Sequence, residues 1–511
     1  MINTMNERKA GAILGYIQIA LQSIIGVVYV PILLNGIGQT EYGLYQIVSS
    51  IIAYITILET MFSATILRHY SVYLAQKDQN RMENLLFITR RLFHALSIIV
   101  LILAFPAGYC IYRFYSGSLL ADELAEMLIM YAGLVVNLLI SINNYTYLAC
   151  ITAHQKFVFL KLLNIFALVI QPVAVIAAIK RFPYAVIIVL VQVALNIAVS
   201  FLQYWYAKNK LHVKIKQHKE IKDNILKEIA LFSIGVFMAA VADQIFWKTD
   251  QIIIGKINGT TAVAIYSVGA QLFNMYMSLA NGIGSVVLPT MIYKVQSEGI
   301  QSADLLFRKI GRVQGMVMAL VVSGFFAFGR TFIKLWVGDS YIQAYWVALL
   351  LMIPYTIDIV QGSGLAILQA IDQYAFRAKC MFFISLVNIV MTIILVKKYG
   401  IIGAAVSTSI AIVIGPGLIM NRYYTNKVGL RIGQFWRELL PIFFAAIAMG
   451  FIGCLIDWKV EKIQWISLIA RCTLFTISYG VLMYLFVMNT FEKQQIKEMI
   501  IKRKNDAEGV R

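Results

Sequence analysis

The chain alternates long apolar runs with short polar connections, and this alternation restricts its fold more than any other feature. Each run can cross about 30 Å of hydrocarbon as a helix, and a helix satisfies its own backbone groups where water is absent. The runs cover residues 10–34, 41–67, 91–115, 120–148, 155–179, 184–207, 228–254, 260–291, 312–337, 343–371, 379–397, 400–421, 438–457 and 463–488. We therefore predict an all-α polytopic membrane protein with about 14 transmembrane helices.

The composition and the placement of charge agree with a membrane protein. Hydrophobic residues make up 60% of the chain and charged residues 14%, against roughly 25% charged residues in a soluble domain. Of the 44 lysines and arginines, 32 lie at one set of alternating run ends, ten lie at the other set, and two lie inside runs. This asymmetry places both termini in the cytoplasm. The net charge of +19 then faces anionic headgroups, so we expect membrane lipids as partners and no nucleic acid.

The chain lacks the motifs of the common enzyme classes. Its five cysteines lie in or at the ends of apolar runs without metal-ligand spacing, so we expect no metal site. We find no Walker-type loop and no Ser-His-Asp arrangement, and connections of at most about 20 residues leave no room for a catalytic domain. We expect a protein that is not an enzyme and has no cofactor. The run 10–34 is too long for a signal-peptide core and is predicted to be a membrane helix.

A weak internal repeat extends over the first twelve segments. The offset between matching residues falls only from 221 to 218 along the chain. Because each copy contains six crossings, both copies enter the membrane from the cytoplasm and form parallel repeats related by an axis along the membrane normal. The matches include Gly38 with Gly259, Thr40 with Thr261, Tyr45 with Tyr266, Asn84 with Asp304, and Lys161 with Lys379.

The repeat and the charges divide the chain into five parts. Residues 1–207 are predicted to form an N-lobe of helices 1–6, and residues 228–424 a C-lobe of helices 7–12. Between them, the linker 208–227 carries seven lysines and should lie on the inner membrane surface. Residues 425–490 add helices 13–14, and residues 491–511 form a charged cytoplasmic tail. A site at the interface of two such repeats is the usual place for transport.

The most unusual stretch, residues 246–269, places a lysine and an aspartate inside an apolar run. On a helical wheel, Lys248 and Asp250 share one face of segment seven with Asp243 and Trp247. A lone charge at the bilayer centre costs at least about 2.5–3.5 kcal/mol, so these side chains face a cavity or one another. The alternative is a network of ion pairs and hydrogen bonds that joins helices. Further polar positions are Tyr45, Glu59 and Arg68 in or beside segment two, Gln271, Asn274 and Asn281 in segment eight, and Asp358 in segment ten.

Short motifs at the start of each lobe carry a family resemblance. They are Arg8-Lys9-Ala10-Gly11, Tyr29-Val30-Pro31, Gly36-x-Gly38-x-x-x-Tyr42-Gly43-Leu44-Tyr45, Thr249-Asp250, Ile254-Gly255 and Ile265-Tyr266-Ser267. These motifs resemble those of the polysaccharide transporters, the Wzx-type oligosaccharide flippases of the multidrug/oligosaccharidyl-lipid/polysaccharide (MOP) exporter superfamily. The resemblance covers essentially the whole chain. It implies a MATE-like, V-shaped pair of six-helix lobes with two additional C-terminal helices.

The resemblance also implies a function. Similar proteins move undecaprenyl-pyrophosphate-linked oligosaccharide across the bacterial cytoplasmic membrane for O-antigen, capsule or other surface polysaccharide, by alternating access. Polysaccharide polymerases and glycosyltransferases of the same pathway are the protein partners that this implies. The roles we assign are pyrophosphate binding for Lys248 and Arg68, coupling or gating for Asp243, Asp250, Asp358 and Glu59, and glycan contact or cavity lining for Gln271, Asn274, Asn281, Trp247 and Tyr45.

Two departures from related transporters narrow this hypothesis. The peptidoglycan-precursor flippases of the same superfamily carry arginines in their first helices. Segment one of this chain contains no charged residue, and this difference disfavours lipid II as the substrate. Many multidrug exporters carry an acidic residue on helix one, and this residue is also missing here. Coupling to H+ or Na+ would then depend on Asp243, Asp250 and Asp358.

Three other functions were weighed. The main alternative is a cation-coupled multidrug or organic-cation antiporter on the same fold, which requires a cavity with negative potential. A glycan polymerase or ligase would need a long external loop, and no external connection here exceeds about 15 residues. A channel is disfavoured because the two-lobe repeat suits alternating access.

Overall fold

The computed structural model describes residues 2–218, 225–460, 464–490, 492–494 and 498, and the regular elements among those residues are helices, with no strand. The helices are connected by turns of a few residues, apart from the longer segment after Asn209. The α-helices are α1 Ile2–Ile55, α2 Ile57–Gln76, α3 Gln79–Tyr115, α4 Ala121–Ala153, α5 Phe157–Ile179, α6 Val186–Asn209, α7 Ile225–Glu298, α8 Ile300–Val337, α9 Gln343–Val360, α10 Gly362–Ala370, α11 Tyr374–Ile412, α12 Met420–Tyr423, α13 Ile432–Trp458 and α14 Trp465–Leu482. A 3-10 turn, Asp339–Tyr341, precedes α9, and π-helical turns extend α11, α12 and α14.

The predicted membrane runs are confirmed as helices, although their boundaries differ. Within the described residues, 11 helical stretches are long and apolar enough to cross a membrane. Three of these, at 42, 43 and 55 residues, each cover all or part of two predicted runs. The prediction also placed the starts of the third and ninth helices too late. Helices α3 and α8 begin at Gln79 and Ile300, because about three polar turns precede the apolar part of each.

The first and seventh helices are interrupted at equivalent glycines. Gly38 has φ 86° and ψ 171°, and Gly259 has φ 83° and ψ −179°. This region of backbone space is essentially restricted to glycine, so any other residue there would strain the chain. The residues that the repeat aligns at an offset of 221 therefore have the same unusual backbone conformation.

The chain forms two compact units. The first contains residues 1–268 and 381–407, and the second contains residues 269–380 and 408–511. The first unit contains helices of both copies of the internal repeat, whereas the second contains only helices of the second copy and those that follow it. Compact packing and sequence repetition therefore divide the chain at different places. The predicted lobe boundaries describe the repeat, and they stay a prediction.

In the first unit, the segment that follows α6 is docked on the ends of other helices. In this docked linker (residues 211–218), Val213 and Ile215 pack on a cluster that includes Leu85, Leu86 and Cys150. The backbone N–H of His218 donates to Asn84 Oδ1 at 3.2 Å, and His218 Nε2 lies 3.0 Å from Glu83 Oε2. The residues that alternate with these two apolar residues along the linker, including Lys214 and Lys216, have exposed side chains. The apolar residues of the linker thus pack against the protein, and its position on the membrane surface stays a prediction. Residues 219–224 lie outside the described part.

The second unit is built around α8 and α13. Its core contains Phe307, Leu439 and Phe475, which are buried or nearly so. Two buried arginines link α8 to the later elements. Arg308 binds Asp304 and Glu438, and Arg312 Nε lies 2.7 Å from Glu492 Oε1. Some of the cations counted at the cytoplasmic ends are therefore used in internal ion pairs.

Candidate functional site

The charged stretch of segment seven packs against the second half of α1. The built position of a Cβ on Gly43 would lie 1.9 Å from the carbonyl oxygen of Thr260, so the two backbones are in direct contact there. Further along, Ser50 hydrogen-bonds to Gln251, and the hydroxyl of Tyr54 to that of Thr249. Residue numbers rise on α1 as they fall on α7, so the two stretches are antiparallel. Their polar faces meet.

Asp250 is enclosed in this part of the first unit, with only 3% of its surface exposed. The Tyr266 hydroxyl donates to Asp250 Oδ2 at 2.6 Å, and the Thr392 hydroxyl donates to Oδ1 at 3.1 Å. The neighbouring Gln251 is also buried and donates to Ser267 Oγ at 3.1 Å. These bonds offset part of the desolvation of the polar groups and join three helical stretches. A coupling role for Asp250 stays a prediction and would require the site to open to water.

Lys248 lies on the same helix but has a different environment. Its side chain is partly buried, and it makes no hydrogen bond or ion pair with any residue that the structure describes. Asp250, two residues away, is directed to Tyr266 and Thr392 instead. The helix therefore separates the two charges, and an ion pair between them is not the explanation for Lys248.

The other predicted residues of the first unit lie at several positions. Trp247 packs edge-on against Phe246, with ring centroids 4.8 Å apart. Tyr45 is partly buried on α1, and Asp243 and Arg68 are exposed on α7 and α2. Glu59 belongs to α2, but its side chain lies outside the described part of the chain. Among the described side chains, none of these forms a hydrogen bond or an ion pair with Lys248.

In the second unit, Asp358 forms an ion pair that the sequence did not predict. Arg377 Nη2 lies 3.0 Å from Asp358 Oδ1 and 3.1 Å from Oδ2, and both side chains are mostly buried. Arg377 lies in the first turn of α11. It was overlooked because a cation at the end of a membrane helix is already explained by the orientation of that helix in the membrane. A coupling role for Asp358 also stays a prediction, and it would have to act through this arginine.

Gln271, Asn274 and Asn281 also belong to the second unit, on the second half of α7. Gln271 is partly buried, whereas Asn274 and Asn281 are exposed on this unit. Their spacing of three and seven residues places them on one side of the helix. Exposed amides within an apolar span are able to contact a polar ligand, as the glycan-lining prediction requires.

A second polar set, on α4 and α6, was missed. Asn196 Nδ2 donates to Asn137 Oδ1 at 2.9 Å, and Asn144 Nδ2 donates to Gln203 Oε1 at 2.5 Å. Both pairs are 59 residues apart in sequence. The two residues on each helix are seven apart, which is two turns on one face. That shared offset is the signal that would have identified two parallel helices joined by amide ladders.

An apolar groove lies in the second unit beside α8, α9 and α13. Its volume is about 520 Å³. The walls include Phe326, Pro354, Trp436, Phe443 and Phe451, and polar surface is almost absent. A groove of this chemistry suits a hydrocarbon chain.

Comparison with known proteins points to one family. The sequence profile of the family described as "Polysaccharide biosynthesis protein" matches residues 9–293. The Bacillus subtilis (strain 168) "Uncharacterized membrane protein EpsK" is 21% identical over 486 residues, covering 93% of this chain and 94% of that protein. The Shigella flexneri "Putative O-antigen transporter" is 21% identical over 417 residues, covering 80% of this chain and 95% of that protein.

Solved structures show the same fold. The lipid II flippase MurJ in an inward closed conformation superposes with a TM-score of 0.72 at 16% identity, over 93% of this chain and 98% of that chain. An inward-facing multidrug resistance MATE family transporter of the MOP superfamily superposes with a TM-score of 0.65 at 13% identity, over 81% and 96% of the two chains. The predicted all-α, MATE-like architecture is thereby confirmed.

Proposed function

The chain belongs to the polysaccharide biosynthesis protein family, and from this membership we propose that it is a flippase for lipid-linked oligosaccharide. The substrate we propose is undecaprenyl-pyrophosphate-linked oligosaccharide, carried by alternating access across the bacterial cytoplasmic membrane. The product serves O-antigen, capsule or another surface polysaccharide. The names of the Shigella flexneri relative and of the MurJ structure support this choice over drug export.

The observation that carries the proposal is the environment of Lys248. Within the described residues, this lysine has no acceptor, although it lies in the membrane-spanning part of α7. An uncompensated cation there costs at least about 2.5–3.5 kcal/mol, and a pyrophosphate would offset that cost. Arg68, exposed on α2 just beyond the end of predicted segment two, is the second cation that we assign to the pyrophosphate.

The remaining parts of the substrate have matching surfaces. Exposed amides at Asn274 and Asn281, with Gln271, suit the hydroxyl groups of a glycan, and Tyr45 and Trp247 suit its apolar faces. The apolar groove beside α8 and α13 suits part of the isoprenoid chain. Asp243, Asp250, Asp358 and Glu59 remain the candidates for coupling to H+ or Na+. Polymerases and glycosyltransferases of the same pathway are the protein partners that we propose.

The test is substitution of Lys248 in a strain that depends on this protein for surface polysaccharide. We expect Lys248→Ala to reduce surface polysaccharide at least tenfold, Lys248→Glu to abolish it, and Lys248→Arg to retain part of it, because only arginine keeps the charge. The matched control is Lys294→Ala on the same helix, which removes an exposed surface pair with Glu298.

Two outcomes would contradict the proposal. One is wild-type polysaccharide in both Lys248→Ala and Lys248→Glu at matched protein levels. The other is a deletion strain that keeps its polysaccharide but becomes sensitive to cationic drugs, which would favour the antiporter.

A further inference from the structure

A second groove, separate from the residues assigned to the substrate, lies on the first unit between α4 and α6. Its volume is about 480 Å³, and its surface is mostly apolar. Val136, Leu139 and Ile140 form one end, and Tyr147 and Tyr204 form the other. The tyrosines lie near the cytoplasmic ends that charge placement assigns to both helices.

The length of this groove corresponds to one leaflet of a bilayer. Val136 and Tyr147 are eleven residues apart, which is roughly 16 Å along a helix, or about half of the hydrocarbon thickness. The same two helices carry large, exposed apolar side chains, namely Ile129 on α4 and Ile197 and Phe201 on α6. Such a surface faces hydrocarbon rather than a water-filled cavity.

The cytoplasmic end of the groove carries aromatic rings and positive charge. The rings of Tyr147 and Tyr204 pack edge-on with centroids 5.1 Å apart. Lys208, in the last turn of α6, donates from Nζ to the Tyr204 hydroxyl at 3.2 Å. Arg90 of α3 and Lys208 are both basic residues in the neighbourhood of the Tyr147 hydroxyl. Tyrosine at an interface with basic residues above it is the pattern that recognises an anionic lipid headgroup.

We propose that the α4–α6 groove binds an anionic phospholipid of the cytoplasmic leaflet. One acyl chain lies along Val136, Leu139 and Ile140, and the phosphate contacts Lys208 and Arg90. The occupant is a phospholipid because the groove spans a single leaflet, whereas an isoprenoid carrier chain is far longer than this apolar wall. The site does not depend on the proposed transport function.

The experiment measures lipid binding by the purified full-length chain in detergent, by native mass spectrometry. Dioleoyl-phosphatidylglycerol is compared with dioleoyl-phosphatidylcholine, which has the same chains and a zwitterionic headgroup. We expect phosphatidylglycerol to bind at least tenfold more tightly. Lys208→Ala and Arg90→Ala should each reduce that preference about fivefold. Lys210→Ala, which removes an exposed lysine two residues further on, is the matched control and should leave the preference unchanged.

A second variant and two competitors test the position and nature of the occupant. Ile140→Trp fills the apolar end and should weaken binding of both lipids with the headgroup cations intact. Equal affinity for the two lipids, or equal loss in the Lys210→Ala control, would overturn the proposal. Displacement by inorganic phosphate would show a free-anion site, and preferential binding of undecaprenyl phosphate would show a substrate site. Either result also overturns it.

Discussion

At the scale of single residues, two acidic side chains of the membrane-spanning helices, Asp250 and Asp358, have different kinds of partner. Asp250 accepts hydrogen bonds from two hydroxyl groups, whereas Asp358 pairs with an arginine. Hydroxyl donors allow a carboxyl group to gain or lose a proton without leaving an opposite charge behind. An arginine does not, because it stays charged at all accessible pH values. Among these two, Asp250 is therefore the better candidate for proton coupling.

The ion pair between Asp358 and Arg377 makes a stability prediction. We expect Arg377→Gln to lower the free energy of unfolding by about 3–5 kcal/mol, because it leaves a mostly buried carboxylate without its partner. The measurement is thermal unfolding in detergent micelles. The double variant Asp358→Asn with Arg377→Gln should recover most of the loss. A double variant as unstable as Arg377→Gln alone would mean that the pair contributes little.

At the scale of helices, the two sequence copies repeat local contacts as well as residues. Asn84 and Asp304, which the repeat aligns, are both buried. Each accepts a backbone N–H from the segment that follows the sixth helix of its own copy, from His218 in one and from Arg431 in the other. A polar residue at the start of α3 or α8 thus anchors the chain as it leaves each copy. The weak match at residues 84–87 reflects this shared structural role.

The contact between α1 and α7 requires a glycine at position 43. We expect Gly43→Ala to lower the melting temperature by several degrees, because its methyl group would collide with the Thr260 carbonyl oxygen and push the helices apart. Gly433→Ala in α13, where a Cβ meets no atom within 4 Å, is the control and should be neutral or slightly stabilising. Equal melting temperatures for the parent and both variants would exclude the close approach.

The docked linker predicts a change in protease sensitivity. Ile215→Ser removes one of its apolar anchors, so trypsin should cleave after Lys214 and Lys216 several-fold faster in inside-out vesicles. Gln217→Ser, at an exposed position two residues away, should not change the cleavage rate. If the parent is already cut at the maximal rate, residues 211–218 are not docked in the membrane-embedded protein.

At the scale of the whole molecule, charge placement and helix packing give independent evidence about the direction in which each helix runs. The distribution of 44 cations predicts the orientation of every helix, and this prediction has α4 and α6 running in the same direction. The amide pairs between these helices, both separated by 59 residues, agree with that parallel arrangement. The antiparallel contact between the second half of α1 and α7 agrees with it as well.

The orientation is tested by labelling of introduced cysteines in intact cells. We expect a membrane-impermeant maleimide to label Ser118→Cys and Asp339→Cys, which lie in connections assigned to the outside. Lys216→Cys should be labelled only after the membrane is permeabilised. The parent chain controls for the five native cysteines. Labelling of position 216 in intact cells would reverse the assigned orientation and, with it, the cytoplasmic termini.

The sequence by itself determined that the chain folds into a series of membrane-spanning helices, and it predicts their number and orientation. These properties depend on the length of each apolar run and on the charges at its ends, which can be read along one dimension. It also located the interruption at Gly259, because the equivalent Gly38 lies in a matching motif. The sequence also identified the polar residues of segment seven as unusual, because a charge within an apolar run is evident from composition.

Only the tertiary structure decided which polar side chains meet. Asp250 receives a hydrogen bond from Thr392, 142 residues away, and Asp358 pairs with Arg377 across a turn. Hydropathy carries little information about such partners, because lipid is as apolar as a leucine-rich helix face and does not select which helices pack together. The structure thus gave Asp250 two hydroxyl donors and left Lys248 without a partner among the described residues, a distinction that two neighbouring charges in a sequence do not reveal.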